Sequence, residues 1–75
     1  MTRALQVTAL IEREGSQWVS LCPELDIASC GKTIEDARRN LAEAVTLFLE
    51  TASATEIDER LHTEVYITRL DVPVG

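Results

Sequence analysis

A chain of 75 residues, 45% of them hydrophobic and 27% charged, has the composition of one small globular domain, which excludes a disordered segment. Thirteen acidic against seven basic side chains leave a formal net charge of −6 and a pI of about 4.5. Such a surface repels phosphate backbones, so direct binding of DNA or RNA is not expected, whereas a basic protein partner is attracted.

Residues 4 to 13 alternate, with Leu5, Val7, Ala9 and Ile11 on one side and Gln6, Thr8 and Glu12 on the other. This period of two predicts a first strand. Glu14-Gly15-Ser16 is a hairpin connection with a glycine free to take a positive φ. Gln17 to Cys22 resumes the alternation, Val19 and Leu21 against Trp18, Ser20 and Cys22, and Pro23 ends this second strand because it has no N–H to donate. After Glu24-Leu25-Asp26, a short third strand over Ile27 to Cys30 stops at Gly31.

Thr33 has the chemistry of a helix N-cap, with Asp36 placing negative charge on the first turn. Ile34, Ala37, Leu41, Ala44, Val45, Phe48 and Ala52 then recur at three and four, the stripe of an amphipathic helix. Glu35 can meet Arg39 at the i,i+4 spacing. Leu47 and Leu49 lie off the main stripe. The polar stretch Ala54 to His62 reads as a loop with a helical turn around Ile57 to Leu61. Thr63 to Leu70, with Val65 and Ile67 opposite Tyr66 and Thr68, reads as a last strand before the tail Val72-Pro73-Val74-Gly75.

The expected fold is therefore α+β. It is a β-β-β-α-β domain over residues 1–75, with a four-stranded mixed sheet in the order 3-2-1-4 and one helix packed on one face through a right-handed crossover. The other face is expected to carry Trp18, Leu10 and Tyr66, with Cys22 as a further candidate. That face, or the edge of the third strand, is the expected surface of a homo-oligomer, dimer or higher. A domain this short gains most from a partner, because the other stabilisers are missing from its sequence. Cys22 and Cys30 are too few for a secreted disulfide scaffold, and with the lone His62 they do not make a zinc pattern. No metal or cofactor is expected. The longest near-apolar run, Ala44 to Leu49, is far short of the ~20 residues of a membrane span, and no signal peptide is expected, because no continuous apolar stretch of that length comes before Glu12 and Arg13. A cytoplasmic protein with reduced thiols is expected, with no membrane partner.

The stretch from Trp18 to Glu50 contains Cys22-Pro23-Glu24-Leu25, then Gly31, Thr33, Glu35, Asp36 and Ala37. Asn40-Leu41, Glu43-Ala44 and Leu47-Phe48-Leu49-Glu50 follow. In this order and spacing it resembles the HicB-like antitoxin family. The resemblance covers about half the chain by motif and nearly all of it by element order. It implies a partial, degenerate ribonuclease-H-like fold and a partner, a HicA-type toxin, which is a small basic RNA-cleaving protein neutralised by direct binding. Complete antitoxins of the family carry a C-terminal helix-turn-helix or ribbon-helix-helix module. This sequence stops at Gly75 and has Asp26-Ile27 where many relatives have Pro-Gly, so a short stand-alone domain without DNA binding is expected.

Each candidate site has a plainer reading. Cys22 as a nucleophile has only one histidine in the chain to activate it, and a small strand-end residue before proline is the simpler account. Glu12, Glu24, Asp26 and Asp71 could form a nuclease carboxylate cluster around Mg²⁺, yet only Glu12 sits on a central strand. Trp18 is equally a partner hot spot and a cover for the sheet. Glu56, Asp58 and Glu59, with Glu64, could dock a basic toxin or form a solvated loop. Arg38 and Arg39 read as surface residues and His62 as a loop residue. No catalytic residue is expected. Two further readings stand beside the antitoxin, a structural or scaffolding dimer without a toxin and a residual nuclease.

Overall fold

The computed structural model describes residues 5–75. Three strands, β1 (Leu10–Glu14), β2 (Gln17–Cys22) and β3 (Ile27–Gly31), form an antiparallel meander in the order β1-β2-β3. Leu10 lies opposite Leu21 and Glu14 opposite Gln17, which leaves Gly15 and Ser16 as a two-residue turn, Gly15 at a φ of 64°. That left-handed conformation suits glycine and matches the twist of a hairpin. In the second pairing, Trp18 faces Gly31 and Cys22 faces Ile27. The first strand begins at Leu10, later than the alternation predicts. Its partner strand ends at Cys22, just before Pro23, so residues preceding Leu10 have almost no ladder to join.

Helix α1 (Ile34–Thr51) starts where Thr33 caps it, the threonine side chain accepting the N–H of Asp36. Its buried stripe is Ala37, Leu41 and Val45; Ile34, expected on that stripe, is exposed in the first turn. Arg38 pairs with Glu35 and Arg39 with Asp36, both at i,i+3 and both in water, in place of the expected Glu35–Arg39 pair. Cys22, Leu25, Leu41 and Val45 form the core, with Val7, Ile27, Phe48, Leu49 and Leu61 packed around it. α1 lies close to the sheet because small residues face it. The Ser20 hydroxyl donates to the carbonyl of Ala37 at 2.9 Å, and a Cβ on Gly31 would fall 2.5 Å from the Ala37 nitrogen.

The expected four-stranded sheet is not found. Among the described residues there are a three-stranded antiparallel sheet and two helices, and no strand lies beyond β1 in the order 3-2-1-4. The α+β class stands, while the mixed sheet and the ribonuclease-H-like topology are corrected. The cause lies after α1. Ser53 caps a second helix, α2 (Ala54–Arg60), in a capping box with Glu56, where the sequence reading placed a loop with one turn. α2 then delivers the chain to the β2–β3 turn, where the His62 N–H donates to the Glu24 carbonyl at 2.7 Å. Thr63 to Leu70 leaves from that point. It keeps the alternation of a strand but pairs with no strand among the described residues, and Tyr66, Ile67 and Leu70 are exposed. Among the described residues no helix is long and apolar enough to cross a membrane.

Candidate interaction surface

The strand register sorts β1 and β2 into two faces, since residues directly opposite one another share a side of the sheet. Ile11, Ser20, Cys22 and Gly31 look toward α1. Leu10, Glu12, Val19 and Leu21 look the other way. On this second face Leu10, Glu12, Val19 and Leu21 line a depression of about 280 Å³, with Ile11 of β1 also in its lining. Glu14 follows on the same side of β1 and is exposed. The surface is an apolar floor with carboxylates along one border, a combination that gives both buried area and attraction for a cationic partner. A second groove, of about 400 Å³, runs between Leu5, Val7 and Ala9 before β1 and Leu41, Val45 and Leu49 on α1.

The β2–β3 turn ties the ends of the chain together. The Glu24 carboxylate, 8% exposed, accepts the Thr8 N–H at 2.9 Å and the Thr8 hydroxyl at 2.6 Å, and the Cys22 thiol lies 3.6 Å from it. Burial alone would raise the Glu24 carboxyl, but the hydrogen bonds from Thr8 outweigh it and hold the group below its ordinary value. Burial raises the Cys22 thiol, and the neighbouring Glu24 charge adds to this. Arg60 donates to the carbonyls of Leu25 and Asp26 at 2.7 and 3.0 Å, its guanidinium 4.9 Å from the centre of the Phe48 ring. Asp26 has a φ of 55°, a left-handed conformation that aspartate tolerates better than most residues. These hydrogen bonds hold the turn against the chain before β1 and the end of α2.

The residues singled out from sequence do not form one patch. Leu10 is on the open face and 38% exposed. Trp18 stands on the opposite, helix-facing side, paired with Arg13 and Gly31, and is half-buried. Cys22 is also on that side, fully buried. Tyr66 is 89% exposed in the segment after α2. Glu56, Asp58 and Glu59 are all exposed on α2, and Glu56 also accepts from Ser53 in the capping box. Glu12, Glu24, Asp26 and Asp71 are not gathered, and among the described residues no three His, Cys, Asp or Glu side chains converge as a metal site would require. Sequence reasoning missed Val19 and Leu21 as the floor of the open face. The signal was present in Ser20, Cys22 and Gly31, whose small size marks the side a helix can approach closely.

Compared with protein-family models, curated proteins and solved structures, the chain matches none.

Proposed function

We propose that this chain is a HicB-like antitoxin domain, a cytoplasmic homo-oligomer that binds a small basic RNase of the HicA type and blocks it by contact. The observation that carries this reading is the open sheet face, where the apolar floor of Leu10, Val19 and Leu21 is bordered by Glu12 and Glu14. A net charge of −6 draws a cationic protein toward that surface, and the apolar floor then holds it. The inhibitor needs no chemistry of its own. It covers the cationic surface with which the toxin would grip RNA.

The motif on which the family resemblance rests also makes structural sense in this fold. Cys22, Leu25 and Leu41 are core residues, Gly31 lets α1 approach, and the Asn40 amide donates to the Cys30 carbonyl at 2.8 Å. A sequence holding these residues keeps the sheet and helix in place while its open face is free to suit a partner.

The test is binding of a short basic protein encoded beside this chain, followed by RNA cleavage with and without the complex. Leu21→Asp, on the open face, is expected to weaken the complex at least tenfold, and added salt to slow its association. Undiminished binding by Leu21→Asp would remove the open face from the reading. The scaffolding alternative is favoured by one feature, the exposed apolar side chains after α2, which invite self-association.

A further inference from the structure

Two features of the chain complement each other, and neither has a strand partner to spare among the described residues. β1 is an edge strand: among the described residues its backbone ladder runs on one side only, to β2. The opposite edge is better protected, because Asn40 occupies the Cys30 carbonyl. The second feature is the segment 63–70. Val65 and Ile67 alternate with Tyr66 and Thr68, no proline lies between Thr63 and Asp71, and no strand is formed. Tyr66 is 89%, Ile67 55% and Leu70 80% exposed. The radius of gyration is 14.5 Å, against roughly 11 Å for a compact chain of this length. The long axis of 51 Å is about twice the ~27 Å of an 18-residue helix such as α1. The chain therefore reaches well beyond its folded body.

An unpaired edge and an unpaired strand-like segment on the same molecule satisfy each other when two copies exchange them. We propose that residues 63–70 of one copy add as a strand to the β1 edge of a second copy, and that the second copy returns the same contact. The exchange closes about a two-fold axis and leaves no open chain of copies. It supplies backbone partners to the β1 edge and covers Val65, Tyr66 and Ile67. It also brings Arg69 to a strand that carries Glu12 and Glu14. Each copy contributes the eight residues 63–70 and the five of β1, and the groove beside Leu5, Val7 and Leu49 brings each side to about twenty residues, the lower end of a standard interface. The inference deepens the homo-oligomer part of the function proposed above and does not depend on the toxin.

Charge separates the two kinds of association. Two copies of net charge −6 repel at long range, so screening by salt favours the exchanged dimer, whereas it weakens the grip on a basic partner. Sedimentation equilibrium of the full chain with and without Ile67→Pro tests the exchange. Proline removes the N–H that the ladder would use, and position 67 lies outside both helices, so helicity by circular dichroism is expected to stay unchanged. The expected result is a dimer for the wild-type chain, twice 8.3 kDa, and a halved mass for the variant. In mixed labelled and unlabelled wild-type protein, intermolecular contacts are expected between residues 63–70 and Leu10–Glu14. A monomeric wild-type chain, a dimer that survives Ile67→Pro, or intermolecular contacts confined to Val19 and Leu21 would each overturn the exchange. Binding of the basic partner is measured on the same two proteins, so a monomeric wild-type chain that still holds it overturns this proposal alone.

Discussion

Thr8 gives both its backbone N–H and its hydroxyl to the carboxylate of Glu24, at 2.9 and 2.6 Å, across sixteen positions of sequence. This pair fixes the approach to β1 against the β2–β3 turn, and the turn in turn receives His62 and Arg60 from the end of α2. Hydrogen bonding to a partly buried charged group contributes about 1.5–3 kcal/mol. Glu24→Ala is therefore expected to lower the unfolding free energy by about 2–3 kcal/mol, measured by urea denaturation. Glu24→Gln keeps the shape and one acceptor, so its loss should be smaller. Equal stability of Glu24→Ala and the wild type would show that the turn is held by other contacts.

The same carboxylate makes stability depend on pH. Its folded value lies below the ordinary 4.5 because Thr8 donates two hydrogen bonds to the charged form. A group lowered in the folded state contributes fully above its ordinary value and loses that contribution as the pH falls through the folded one. Urea midpoints are expected to be flat from neutral pH to about 5 and to fall below that. Exposed Glu35 is also lowered, through its hydrogen bond with Arg38, but a solvent-screened pair contributes little. Glu24→Gln should therefore flatten most of the acid slope. A slope unchanged in that variant would assign the acid sensitivity to other carboxylates.

The hairpin, the third strand and the long helix were legible in the sequence because each has a local cause: alternation from Gln17, the stop at Pro23, the cap at Thr33. The fourth strand that the sequence predicts over Thr63 to Leu70 does not form, although the segment alternates as well as β2 does. Alternation reports the ability to pair, and pairing needs a neighbouring backbone that the path through α2 does not supply. α2 itself was legible in Ser53 and Glu56, the Ser-x-x-Glu of a capping box, but the density of charge from Glu56 to Arg60 suggested a loop. The two faces of β2 were correctly separated. The side covered by α1 is the one that holds Trp18, because the small Ser20, Cys22 and Gly31 on the same face let the helix approach, and the apolar size of Trp18 points the other way.

Gly31 sits where β3 hands the chain to α1, and a Cβ there would meet the backbone nitrogen of Ala37 at 2.5 Å and the Asp36 carbonyl carbon at 2.7 Å. These are helix backbone atoms and cannot rotate aside. Gly31→Ala must push α1 away from the sheet, lengthening the Ser20–Ala37 hydrogen bond, and is expected to destabilise by about 1–3 kcal/mol. A thermal melt compared with that of Gly15→Ala separates the causes. At Gly15 nothing lies within 4 Å of the added carbon, and only its φ of 64° opposes the change. A Gly31→Ala protein as stable as the wild type would show that α1 can shift without loss.

The two thiols offer a probe of the sheet's sidedness. Cys22 and Cys30 both belong to strands, but Cys22 is fully buried beneath α1 while Cys30 is exposed on the open face. Burial and the adjacent Glu24 charge raise the Cys22 thiol, which reduces the reactive thiolate as well as access to it. In native protein a thiol reagent is expected to modify one equivalent quickly at Cys30 and a second only as fast as the chain opens. Urea or Glu24→Ala should speed the second phase alone, since Glu24 helps hold the turn over Cys22. Rapid modification of both thiols in the folded protein would place Cys22 in contact with solvent and contradict the packing of α1 on that face.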